Sequence, residues 1–171
     1  MPIRSSMRIA RRLAGLALTA ALLLAVLPTC GAAGLFDYLV GTWSGTGTVK
    51  LTEGGREKIK CKASYAVPES TTVRLHLTCA SDTYKITLEG TMKYRDGVIT
   101  GSWRETTRDV EGSFTGRVNG NQIVLNTSGV IAAALTVTTT GPSQTVVLKL
   151  EGAKVSSVSI TLKREGGTAR S

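Results

Sequence analysis

A chain of 171 residues with a formal charge of +9 allows one domain. With two Trp and two Phe in all, it lacks the stacking platform of a nucleic-acid binder, and one histidine excludes a typical multi-histidine zinc site.

The first part reads as a leader rather than fold. Met1 to Arg12 carries Arg4, Arg8, Arg11 and Arg12 without an acid, Leu13 to Leu27 is almost wholly apolar, and Gly31, Ala32 and Ala33 are small. Basic region, short apolar run and small-residue cleavage site make residues 1–33 a secretory signal peptide. The apolar run is shorter than the roughly 20 residues of a spanning helix, so an uncleaved anchor is the lesser alternative. Arg11-Arg12 matches a twin-arginine signal poorly, and Leu27-Pro28-Thr29 is a poor lipobox ahead of Cys30. Cleavage removes four bases and no acid, taking the charge from +9 to +5. The expected location is exported, periplasmic or extracellular. Cys61 and Cys79 remain, an even pair in an oxidising compartment, and are expected to form a disulfide.

Residues 34–166 read as the folded domain and 167–171 as a tail, fraying from Glu165 onward. Gly34 to Leu39 is an apolar lead-in suited to one helical turn plugging one end. The organising stretch is Gly41 to Leu51, whose period of two puts Trp43, Gly45, Gly47, Val49 and Leu51 on the buried face. Glu53-Gly54-Gly55 then predicts a three-residue hairpin in which Val49 faces Ile59, Gly47 faces Cys61 and Trp43 faces Tyr65. Lys58, Lys60 and Lys62 alternate with apolar residues and form a basic stripe suited to anionic envelope surfaces.

Pro68-Glu69-Ser70 turns into Val73, Leu75, Leu77 and Cys79, all inward. A turn centred on residue 70 sets Cys61 opposite Cys79, Ala63 opposite Leu77 and Tyr65 opposite Leu75, so alternation and cysteines give one register. The next strand alternates Tyr84, Ile86, Leu88, Gly90, Met92 and Tyr94 inward. Asp96-Gly97 is a strong hairpin signal pairing Tyr94 with Ile99, Met92 with Gly101 and Gly90 with Trp103. Strands follow with Val110, Gly112, Phe114, Gly116 and Val118 inward, then Ile123 and Leu125. Val130 to Thr140 is a β-branched and alanine run, and Val146, Leu148 and Leu150 precede the last strand, with Val158, Ile160 and Leu162 inward. About eight to ten strands in an unbroken meander predict an all-β, antiparallel up-and-down barrel, which leaves no open sheet edge.

Gly41-Thr42-Trp43 after the lead-in resembles the Gly-x-Trp signature of the calycin superfamily: lipocalins, avidins and fatty-acid-binding proteins. The resemblance implies a basic residue of the last strand packed over Trp43, with Arg164 first and Lys163 second. It also implies a small apolar ligand held in the barrel, although the tryptophans that wall a biotin pocket are missing.

The chain does not read as an enzyme, and no cofactor or metal is expected. His76 lies on the polar face, and Glu105, Asp109 and Glu111 read as charges around a turn rather than a carboxylate pair for hydrolysis. A hydrolase using Glu105 is thus the least favoured reading. The expected function is ligand binding, the pocket walled by Tyr84, Met92, Tyr94, Trp103 and Phe114. Inward Gly45, Gly47, Gly90, Gly101, Gly112 and Gly116 exceed what curvature alone asks for and argue for free volume inside. The alternative is a structural or interaction protein of the envelope, inhibitors included, with a filled core in which aromatics cover the glycines, Trp103 over Gly90.

Overall fold

The structure, a computed structural model, describes residues 34–129 and 131–166; the signal peptide expected at 1–33, Cys30 within it and the tail expected at 167–171 lie outside the described residues. Ten strands form a closed antiparallel barrel: β1 Gly41–Leu51, β2 Arg56–Glu69, β3 Thr72–Ala80, β4 Lys85–Arg95, β5 Val98–Glu105, β6 Val110–Asn119, β7 Gln122–Gly129, β8 Ala133–Thr140, β9 Ser143–Leu150 and β10 Val155–Arg164. Each strand pairs with its neighbours in the chain, and β10 closes on β1 from Trp43–Arg164 to Val49–Val158. No sheet edge remains to recruit another chain.

Alternation places the core. Trp43, Val49, Ile59, Cys61, Ala63, Val73, Ile99, Ile123, Ile160 and Leu162 point inward and are buried, while Lys58, Lys60 and Lys62 point out. The β2–β3 register follows the pattern, with Cys61 opposite Cys79, Ala63 opposite Leu77 and Tyr65 opposite Leu75. A Cys61–Cys79 disulfide joins the two strands. Asp96 and Gly97 both take positive φ, the requirement of a tight two-residue hairpin, and set the expected β4–β5 pairs.

The β1–β2 hairpin departs from expectation. Lys50 opposes Arg56, so Val49 faces Glu57, Gly47 faces Ile59, Gly45 faces Cys61 and Trp43 faces Ala63, a slip of two residues. The loop is longer than three residues, because Gly54 and Gly55 both take positive φ and Leu51 N–H bonds the Gly55 carbonyl at 3.2 Å. A slip of two keeps every side chain on its face. Leu51, at the end of the strand, is 40% exposed, and the β1–β10 register shifts between Lys50 and Leu51. At the other end Glu165 is held rather than frayed, its N–H on the Thr42 carbonyl at 2.8 Å and its carboxylate 3.3 Å from Lys62 Nζ.

Candidate functional site

One end of the barrel is sealed. A 3₁₀ turn over Asp37–Leu39 lays Phe36 and Leu39, both fully buried, across the ends where β1 starts and β10 finishes. Trp43 beneath them donates Nε1–H to the Leu39 carbonyl at 2.8 Å. The Arg164 guanidinium lies 4.3 Å from the Trp43 ring and donates to the Val40 and Tyr38 carbonyls. Lys163, the other basic residue considered for this place, points outward and is exposed. A polar tie crosses the same end: Tyr65 donates to Gln144 Oε1 at 2.8 Å, and Gln144 Nε2 to Thr139 Oγ1 at 3.1 Å. Gln144 is fully buried, and burial drives the Tyr65 phenol well above its ordinary pKa.

The opposite end is looser. Inward Ile86, Leu88, Trp103, Leu135, Leu148, Leu150, Val155 and Val158 are only half-buried there, on β4–β5 and β8–β10, while Val49, Ile59, Cys61 and Cys79 on β1–β3 stay buried. The inward face is thus less completely covered toward this end, and Trp103 also borders the concavity over β2–β6 described below. The five wall residues read from sequence divide between the two ends. Tyr94 packs edge-on against the plug residue Phe36, ring centroids 6.2 Å apart, and Met92 is buried two residues along the same strand. Tyr84 and Trp103 stand in the looser half, and Phe114 lies between on β6. Burial, with Glu57 second, raises the Tyr84 phenol, so no phenol of the wall whose pKa moves is brought toward ionisation. Trp103 Nε1 is buried without an acceptor among the described residues.

The glycines resolve differently from their sequence reading. A Cβ at Gly45 would sit 2.0 Å from the Thr161 carbonyl and one at Gly116 2.0 Å from the Val124 carbonyl, so neighbouring backbone occupies both places. Gly101 lies under the Phe114 ring, and Gly112 under the Trp103 indole at 2.9 Å. Trp103 therefore covers Gly112 rather than Gly90. Only Gly90 of the six has room for a Cβ, whose nearest neighbours would lie in ordinary van der Waals contact at 3.7 and 3.9 Å. Curvature and close packing explain five of the six glycines, and the case for a lumen rests on the half-buried wall instead.

Two concavities lie on the outer wall. The larger, about 860 Å³ and open to solvent, runs over β2–β6, where register aligns Ser64, His76, Glu89, Arg104 and Glu111 in one rung. His76 Nδ1 is 3.7 Å from Glu89, both exposed. The acids near the β5–β6 turn do not converge. Asp109 pairs with Arg104, and Glu111 faces outward. Glu105 is buried and accepts from the backbone N–H groups of Thr87, Thr107 and Arg108 at 3.2, 2.9 and 2.8 Å. Burial alone would raise its pKa, but these bonds and one from the Thr107 side chain bring it down to about 2.

Glu105 is thus a charged cap for the turn, not a proton donor. With a folded pKa below the ordinary carboxylate value, its stabilisation is full above about pH 4.5 and lost as pH falls through about 2. Glu105→Gln is expected to lose about 2 kcal/mol of stability near pH 7, with the gap to the parent closing near pH 2. Urea unfolding at the two pH values measures it; a gap that does not change with pH would show that the charge is not what holds the turn.

No protein-family model matches the chain, and no curated protein sequence does. Solved structures match the fold. Rv2717c from M. tuberculosis superposes with a TM-score of 0.62 at 14% identity, over 76% of this chain and 94% of that one. The S-type phycobiliprotein lyase CPES from Guillardia theta superposes with a TM-score of 0.54 at 16% identity, over 76% and 90%.

Proposed function

We propose that the barrel carries a small, largely apolar, uncharged molecule in its lumen, admitted at the end opposite the plug, and does no chemistry on it. The carrying observation is the uneven burial of the inward apolar side chains, sealed around Trp43 and half-buried around Leu88, Trp103 and Leu148. Ligand pockets are apolar with few polar groups. Here a ligand oxygen would satisfy the unpartnered Trp103 Nε1–H. The charged groups on the inward face stand at its ends: Arg164 engaged with the plug, Glu105 with its turn, and Glu57 at the far rim accepting from Thr83 Oγ1. The Cys61–Cys79 disulfide suits an oxidising compartment and supports reading the protein as exported.

Gly90 provides the test, because a Cβ there meets its neighbours at ordinary contact distance and clashes with none. The parent should bind the apolar fluorophore N-phenyl-1-naphthylamine saturably, with quenching of tryptophan emission. Gly90→Leu should keep the parent's melting temperature or raise it and weaken the probe by about tenfold or more. A parent that binds no such probe, or a Gly90→Leu variant that binds it unchanged, would favour a filled barrel acting as a structural or interaction protein.

A further inference from the structure

Charge is segregated around the outer wall. On the β3–β6 side Arg104 stands between Glu89 and Glu111 along one rung, and His76–Glu89 and Arg104–Asp109 contacts form. The wall made by β2, β1, β10 and β9, consecutive in the barrel, differs. β2 presents Arg56, Lys58, Lys60 and Lys62 outward, and register places Lys50 of β1 beside Arg56, with Lys163 of β10 beside Ser44 and Lys149 of β9 beside Ser157. The outward positions between them are mostly serine and threonine: Thr46 and Thr48 oppose Lys60 and Lys58 and are followed on β10 by Thr161 and Ser159. Glu165, just past β10, reaches Lys62 alone. Residues 1–33 and 167–171 contain no acid that would neutralise the rest.

Successive outward lysines of one strand stand about 7 Å apart. Like charges that close repel in the isolated barrel, and an external anionic surface removes the cost. At the end of the stripe, at the barrel end opposite the plug, the turn bearing exposed Leu51 lies between Lys50 and Arg56. The same turn carries one acid, Glu53, and its exposed Leu51 between two cations fits a bilayer interface better than a wholly polar polyanion.

We propose that this wall docks the barrel on anionic phospholipid, Lys58, Lys60 and Lys62 meeting headgroup phosphates and Leu51 entering the interface. The docking does not depend on whether the lumen is occupied. Protein purified from its own host should cosediment with phosphatidylcholine vesicles containing about one-quarter phosphatidylglycerol, not with phosphatidylcholine alone, and high salt should release it. The Lys58→Gln, Lys60→Gln, Lys62→Gln variant should bind on the order of 100-fold more weakly, from the usual contribution of each basic residue at a lipid surface. The same loss of charge on β4, by Lys85→Gln, Lys93→Gln and Arg95→Gln, should cost no more than about threefold. Leu51→Ser should weaken vesicle binding severalfold and leave binding to soluble polyphosphate unchanged. The proposal is overturned by absent vesicle binding, by equal losses in the two triple variants, which would mean net charge alone, or by polyphosphate binding without vesicle binding.

Discussion

Trp43→Ala is expected to leave little folded protein. The indole is fully buried where β1 begins, and its ring meets both the plug and the last strand. It supports the plug through the bond from Nε1 to the Leu39 carbonyl, and it is the surface on which the Arg164 guanidinium lies. Arg164 in turn ties the end of β10 to the lead-in through Val40 and Tyr38, so one side chain seats both the plug and the barrel closure. Truncating a buried aromatic to alanine costs about 3–5 kcal/mol, and the orphaned Leu39 carbonyl adds about 1 kcal/mol. Domains of this kind hold about 5–15 kcal/mol in all, so the loss takes most of it. Soluble yield and the thermal transition by circular dichroism measure the effect. Arg164→Met, which keeps an apolar stem over the ring, should cost about 1–2 kcal/mol and leave a cooperative transition. A Trp43→Ala variant melting within a few degrees of the parent would show that the plug is held elsewhere.

The sequence exposes some of these relations and hides others for physical reasons. The β2–β3 register is legible because two constraints agree: alternation requires Tyr65 and Leu75 on one face, and Cys61 and Cys79 sit equidistant from the turn. The β1–β2 register is not, because a period of two cannot distinguish shifts of two residues, and Gly54-Gly55 permits more than one loop length. Trp103 has glycine on both sides in its rung, Gly90 on β4 and Gly112 on β6, and no pattern says over which one a ring will lie. The lumen wall on β8 is missed altogether. Its outward residues are alanine and threonine, too like its inward ones for alternation to single out Leu135 and Val137. Gln144 shares the parity of Val146 and Leu148, which places it inside, but a glutamine two residues past Pro142 reads as part of a turn. The lysine stripe of β2 is plain in the sequence. That the strands flanking it on one side also lack outward acids becomes visible only when β10 closes against β1.

Removing the Cys61–Cys79 disulfide carries the second large effect, through the unfolded chain more than through lost contacts. The bond closes a loop with a sequence separation of 18, for which loop entropy gives about 3 kcal/mol. In the folded barrel both sulfurs point inward and the two residues are 4% and 6% exposed. The strands around them are held independently: Ala63–Leu77 and Tyr65–Leu75 continue the register on one side, and Lys60–Ala80 on the other. The Cys61→Ala, Cys79→Ala variant is therefore expected to fold to the same barrel and bind the same apolar probe, but to melt about 10 °C lower. Reduction should behave differently from mutation in its kinetics. Since both cysteines are buried, dithiothreitol should cleave the bond in native protein far more slowly than in urea, at a rate that rises as denaturant opens the β2–β3 pair. Peptide mapping without reductant checks the linkage, and thiol titration with time follows its loss. Two free thiols in protein recovered from an oxidising compartment would remove the basis for the pairing. Reduction as fast in native protein as in urea would mean that the inner face of β2 and β3 is open to solvent, and the boundary between the sealed and the looser part of the barrel would then have to be redrawn to include Cys61 and Cys79.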